Sequence, residues 1–95
     1  MKVRVQYFAA VREITNQREE MLDVDSGTSV LDLLKLLVAR HGSRLREYVF
    51  DSKTGNPRTY LQFLLDEESI ATMNGFSTTL RDNSVLAIIP PVGGG

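Results

Sequence analysis

Val85-Leu86-Ala87-Ile88-Ile89, followed at once by Pro90-Pro91-Val92-Gly93-Gly94-Gly95, is the stretch that decides how this chain is read. Five apolar residues in a row, introduced by the turn-forming Asp82-Asn83-Ser84, read as a strand buried on both faces rather than half-exposed. Proline cannot extend a sheet ladder, so the strand stops at Pro90. Glycine lacks a Cβ, so Gly93, Gly94 and Gly95 form the thinnest peptide a chain can present. The six residues from Pro90 reach at most roughly 20 Å when extended. Glycine-rich termini are also common as disordered ends. The order here is more specific: apolar strand, double proline, then glycine to the last residue. It predicts a narrow thread ending in the Gly95 carboxyl group, able to enter a tunnel in another protein.

A strand as apolar as 85–89 belongs in the middle of a sheet, and the first strand is its natural neighbour. Residues 2–8 alternate strictly, with Val3, Val5 and Tyr7 on one face and Lys2, Arg4, Gln6 and Phe8 on the other. If both central strands keep the same phase, Phe8 and Ile89 lie close together on the face turned away from the helix. They would form an apolar spot on an otherwise polar surface; alternatively, Phe8 tucks beneath a loop. A second alternating run, 19–25, places Leu22 and Val24 inward, and Thr15-Asn16 between the two runs reads as a hairpin turn.

The helix is the clearest element. Ser29 is a candidate N-cap with Asp32 three residues on, and Val30, Leu33, Leu34, Leu37 and Val38 recur at helical spacing. Gly42 closes it. Residues 51–57 are a loop by their Asp, Gly, Asn and Pro content, 60–65 a strand, and 66–69 the turn after it. Asn74-Gly75 is a further turn. The element order β-β-α-β-(short elements)-β predicts an α+β layer with one main helix on a mixed sheet.

Composition removes several classes of function. Ninety-five residues make one small domain, and 42% hydrophobic with 24% charged residues suits a packed core under a polar surface. Eleven basic against twelve acidic residues argue against binding nucleic acid by phosphate neutralisation. No apolar run is long enough to span a membrane. A charged strand pattern begins at Lys2, so no signal peptide is expected. The chain has no cysteine, hence no disulfide, zinc-thiolate site or thiol nucleophile, and a cytoplasmic setting is expected.

Side-chain chemistry is equally sparse. His41, the single histidine, falls at the predicted helix end, where it is expected to cap carbonyls or stay solvated. The runs Glu19-Glu20 and Asp66-Glu67-Glu68 read as solvated carboxylates without calcium-loop spacing, and no metal site is expected. No nucleophile and base can be paired around one terminal histidine. The reacting group that remains is the C-terminal carboxyl, which needs activation by another enzyme before it can act as an acyl donor.

Three segments carry a family resemblance. Residues 3–13 include Phe8-Ala9-Ala10-Val11-Arg12-Glu13, similar to a Phe-Ala-x-x-Arg-Glu signature; 28–34 resemble a helix entry; 80–95 end in Pro90-Pro91-Val92-Gly93-Gly94-Gly95. Together they resemble the MoaD/ThiS group of ubiquitin-like, β-grasp sulfur carriers, most of all the MoaD branch in its longer, archaeal-type form. Asp66-Glu67 stands where many relatives have Asn-Gly, and Asn83-Ser84 where they often have Gly-Asp.

The resemblance implies a β-grasp domain over 1–89 and an extended tail over 90–95. Gly95 would be adenylated with ATP by a MoeB-like, E1-type enzyme and converted to a thiocarboxylate. Pro90, Pro91, Val92, Gly93 and Gly94 would be inserted into partner active sites. Phe8 and Ile89 would contact both that enzyme and a MoaE-like large subunit of molybdopterin synthase. No cofactor would be bound, and the sulfur would build the molybdopterin dithiolene. The same resemblance leaves open a ubiquitin-like modifier joined to protein lysines, or a carrier for another sulfur-transfer pathway.

Overall fold

Strand β5 (Ser84–Ile89) lies at the centre of the molecule because its neighbours on both sides are strands. The computed structural model describes residues 1–91 of the chain. Its five-stranded sheet has the order β2-β1-β5-β3-β4, with β1 at Lys2–Tyr7, β2 at Glu19–Asp23, β3 at Gln62–Leu65 and β4 at Glu68–Ser69. The first and last strands pair in parallel, Val3 opposite Ser84 through Tyr7 opposite Ile88, and every other pairing is antiparallel. Leu86, Ala87 and Ile88 are buried, as a doubly flanked strand requires.

One face of the sheet carries the core. Val3, Val5 and Tyr7 from β1, Leu22 from β2, Phe63 and Leu65 from β3, and Leu86 and Ile88 from β5 join one cluster with helix α2 (Val30–His41). The α2 stripe is the one expected: Val30, Leu33, Leu34, Leu37 and Val38 are all buried. Each such side chain contributes about 1.5–3 kcal/mol by leaving water. The helix starts in a full capping box. The Ser29 hydroxyl oxygen accepts from the Asp32 N–H at 3.1 Å, and the Asp32 carboxylate accepts from the Ser29 N–H at 3.2 Å. The Ser29 backbone N–H first, and the Ser29 hydroxyl second, hold the exposed Asp32 carboxyl below its ordinary range. Gly42 ends α2 at φ +93°, a conformation that disfavours a side chain.

Two helices were not foreseen. The link between β1 and β2 is not a tight hairpin turn but holds a seven-residue helix, α1 (Ala9–Thr15). So short a helix is unstable alone; it persists because Val11 and Thr15, one turn apart, are buried. Thr15-Asn16 is still a turn, with Asn16 in the left-handed region at φ +59° as the cap of α1. Helix α3 (Ser43–Val49) follows directly on Gly42 and buries Leu45 and Val49 at the same i, i+4 spacing.

The strands differ from expectation at their ends. β2 stops at Asp23 and β3 starts at Gln62 rather than residue 60. Only Asp66 and Glu67 form the turn expected over 66–69; Glu68–Ser69 is a short edge strand. Both turn residues have positive φ, +49° and +72°, as the common two-residue hairpin loop demands. Met73, Phe76 and Ile70 pack two 3₁₀ turns, Ile70–Thr72 and Gly75–Ser77, against the core before β5 begins.

Candidate functional site

The parallel register of β1 and β5 builds the site. Arg4 faces Val85, Gln6 faces Ala87, and on the far side Leu64 faces Ala87 while Gln62 faces Ile89. Side chains alternate along a strand, so these residues all project from the sheet face opposite the core. Phe8 continues the line of β1 with extended backbone, φ −127° and ψ 150°, which brings it beside Ile89. The two line a concavity of about 440 Å³ together with Gln6, Leu64, Asp66, Glu67, Val85 and Ala87. Phe8 therefore opens onto the groove instead of tucking beneath a loop. The Arg12 guanidinium lies 5.9 Å from the Phe8 ring centroid, within cation–π range, and its Nε donates to the Tyr7 carbonyl at 3.3 Å.

β5 delivers the chain from this groove to the tail. Ile89 is its last residue and sits half-buried at the groove wall. Pro90, directly after β5, is buried and Pro91 is exposed. Val92, Gly93, Gly94 and Gly95 lie outside the described residues.

A polar cluster on the opposite, core side of the sheet corrects two expectations. His41 does not cap helix carbonyls: its Nε2 lies 2.6 Å from Glu20 Oε1. Glu20 is not solvated: its residue is only 8% exposed. Its carboxylate also accepts from the Tyr7 hydroxyl and pairs with Arg40 at 3.3 Å. Burial opposes charge on Glu20, yet hydrogen bonds from His41 and Tyr7 and the charges of His41 and Arg40 hold its carboxyl below the ordinary range. Burial first, and the neighbouring carboxylate second, push the Tyr7 phenol far up. The signal was present in the sequence, since Glu20 shares the inward phase of Leu22 in β2. Glu19, out of phase with it, is exposed and pairs with Arg4 at 3.7 Å. The cluster joins β1, β2 and the end of α2 and faces away from the groove.

Among the described residues, no group of three or more His, Asp or Glu side chains could hold a metal ion. No helix there is long and apolar enough to cross a membrane.

Comparison with known proteins agrees with the fold and with the sequence signatures. The chain matches the ThiS family over residues 5–95. It is 26% identical over 95 residues to Small archaeal modifier protein 3 of Haloferax volcanii, with all of both chains covered. It is 30% identical over 95 residues to the molybdopterin synthase sulfur carrier subunit of Chlamydomonas reinhardtii, again covering all of both chains. The crystal structure of SAMP1 from Haloferax volcanii superposes with a TM-score of 0.87 at 27% identity over the whole of each chain. The fold is the ubiquitin-like β-grasp. The chain belongs to the ThiS family and is a ubiquitin-like sulfur carrier of the MoaD/ThiS type.

Proposed function

We propose that this chain is the sulfur-carrying small subunit of a molybdopterin synthase. The Gly95 carboxylate attacks the α-phosphate of ATP in the active site of a MoeB-like, E1-type enzyme, giving an acyl-adenylate and releasing pyrophosphate. A sulfur donor then displaces AMP and leaves a thiocarboxylate. Docked on a MoaE-like large subunit, the carrier gives up that sulfur to the pterin precursor of the dithiolene, and the catalytic side chains belong to the large subunit. Gly93 and Gly94 let the terminus pass where a Cβ would not. Pro90 and Pro91 stiffen the root of the tail, and Val92 completes it.

The observation that carries this reading is contiguity. The apolar groove of Phe8 and Ile89 ends where the chain turns into Pro90, so a partner seated on the groove stands next to the tail. Domain 1–89 is then the docking body and the tail the reactive arm. Mutual burial of an apolar patch holds the complex while the tail occupies the active site. The absence of cysteine fits work in a reducing cytoplasm.

The test is incubation of the chain with ATP, a MoeB-like enzyme and a sulfide donor, read by intact mass. One oxygen-to-sulfur exchange localised to Gly95 is expected. An unmodified carboxylate, with an enzyme shown to be active on another carrier, overturns the proposal.

A second reading is favoured by the full-length similarity to an archaeal modifier protein. The same acyl-adenylate can pass to a lysine amine, releasing AMP and forming an isopeptide. Tryptic peptides from native cell extract carrying a Gly-Gly remnant on lysine, lost when the gene for this chain is deleted, separate this outcome from sulfur transfer.

A further inference from the structure

Backbone N–H groups along a strand point alternately to its two neighbours, so the register of β5 assigns a side to each of its residues. The Val85 carbonyl accepts from the Asp66 N–H at 2.9 Å, on the β3 side. Residues 87, 89 and 91 share that side, and residues 84, 86, 88 and 90 turn to β1. Tyr7 lies opposite Ile88 in the parallel pairing, and Gln62 opposite Ile89 in the antiparallel one. One step further, the bond to β1 would run from the N–H of residue 90 to the Phe8 carbonyl. The bond to the other side would run from residue 91 to Tyr60. Both donors are missing, because both residues are proline. The double proline is thus two stops, one for each neighbour of the central strand.

The carbonyl that Pro90 leaves free has another use. Phe8 C=O accepts from the Val11 N–H at 3.1 Å and from the Arg12 N–H at 3.4 Å, the bonds that open α1. Between strand and helix the chain reverses at Ala9 with φ +49°, left-handed backbone that is costly for a residue with a Cβ. Helix α1 is short and buries only Val11 and Thr15, so its first turn depends on these two bonds. It also carries Arg12, whose guanidinium stands over the Phe8 ring. Ladder and helix therefore compete for one carbonyl, and joining the ladder would relieve the strain at Ala9.

We propose that Pro90 is a positioning residue: by withholding an N–H from the Phe8 carbonyl it keeps α1 wound, and so fixes Phe8 and Arg12 beside the root of the tail. The inference rests on the carrier reading and adds to it the residue that holds the body in its docking shape. An N–H at position 90 would extend the pairing of β1 and β5 by one bond, draw the Phe8 carbonyl from α1 and unwind its first turn. An N–H at position 91 would leave α1 alone, since it faces β3.

Amide hydrogen exchange of the full chain, followed by NMR, compares wild type, Pro90→Ala, Pro91→Ala and the double variant Ala9→Gly/Pro90→Ala. In Pro90→Ala the Val11 and Arg12 amides are expected to exchange about fivefold faster, the change that loss of one ordinary hydrogen bond gives. In Pro91→Ala they are expected to keep their wild-type rates. Glycine adopts positive φ freely, so the double variant is expected to regain wild-type protection. A packing defect left by the missing proline ring would not be mended from position 9. In ATP–pyrophosphate exchange with the MoeB-like enzyme of the same genome, Pro90→Ala is expected to raise the KM for the carrier about fivefold, and the double variant to lower it again. Unchanged Val11 and Arg12 exchange in Pro90→Ala, or an equal loss of protection in Pro91→Ala, overturns the proposal. Faster exchange with an unaltered KM overturns the positioning role. A wild-type chain that is never adenylated refutes the carrier reading alone, because the exchange rates still decide what Pro90 does.

Discussion

Replacing Glu20 with alanine removes the acceptor shared by Tyr7, His41 and Arg40. The three losses are unequal. The Tyr7 residue is fully buried, and a buried hydroxyl left without a partner costs about 1–3 kcal/mol. The His41 side chain is 14% exposed and regains some water. The Arg40 side chain is 56% exposed, so its pairing adds only a few tenths of a kcal/mol, on the order of a surface ion pair. The sum is about 3 kcal/mol, at the lower edge of what breaking a buried pair costs. For a domain of this size that lowers Tm by roughly 12–24 °C. Glu20→Gln keeps one acceptor oxygen and the shape, and is expected to lose about half as much. Acid closes the gap between wild type and Glu20→Gln. The folded-state pKa of Glu20 lies below its ordinary value, so its stabilisation is complete above the ordinary carboxylate range and disappears as pH falls through the folded value. Urea unfolding of both proteins between pH 7 and pH 3 reads this directly. A Glu20→Ala midpoint equal to wild type at pH 7, or a gap between wild type and Glu20→Gln that does not shrink toward pH 3, refutes the account of the cluster.

Three further outcomes are expected. Gly94→Val leaves thermal unfolding unchanged but abolishes ATP–pyrophosphate exchange with the adenylating enzyme, because a branched side chain blocks the thread; retained exchange argues against tail insertion. Ser29→Ala removes one side of the capping box and costs about 1 kcal/mol, a drop of roughly 4–8 °C in the melting curve. Ile89→Asp keeps the fold, since that half-buried side chain points away from the core, but fails to capture the large synthase subunit in a pull-down; an unfolded variant would place Ile89 in the core instead.

The elements that can be read one at a time were legible from residue order. Helix α2 announced itself by a capping pair, a five-residue stripe and a closing glycine. β1 showed its alternation and β5 its continuous apolar run; a common phase would place Phe8 beside Ile89, and the parallel register decided that over Phe8 tucking beneath a loop. Helices α1 and α3 were not legible. Each is seven residues long and shows two buried residues, too little periodicity to stand out from a loop. The inward phase that Glu20 shares with Leu22 was legible in β2 but was not followed, whereas its partner His41, twenty-one residues away, carries no local sign of meeting it.

Residue order alone nominated a reactive candidate, the glycine thread after Pro90-Pro91, and a composition with no cysteine and one histidine offers few side-chain nucleophiles and bases beside it. These are statements about composition and local backbone freedom, which need no partner residue to hold. Tertiary structure decided the rest. Parallel pairing of the first and last strands is a contact across nearly the whole chain, and it alone makes one groove out of Phe8, Ile89, Leu64 and the Asp66-Glu67 turn. The same sheet turns Glu20 inward beneath α2, where burial and three donors give it a role that its neighbours in sequence do not reveal.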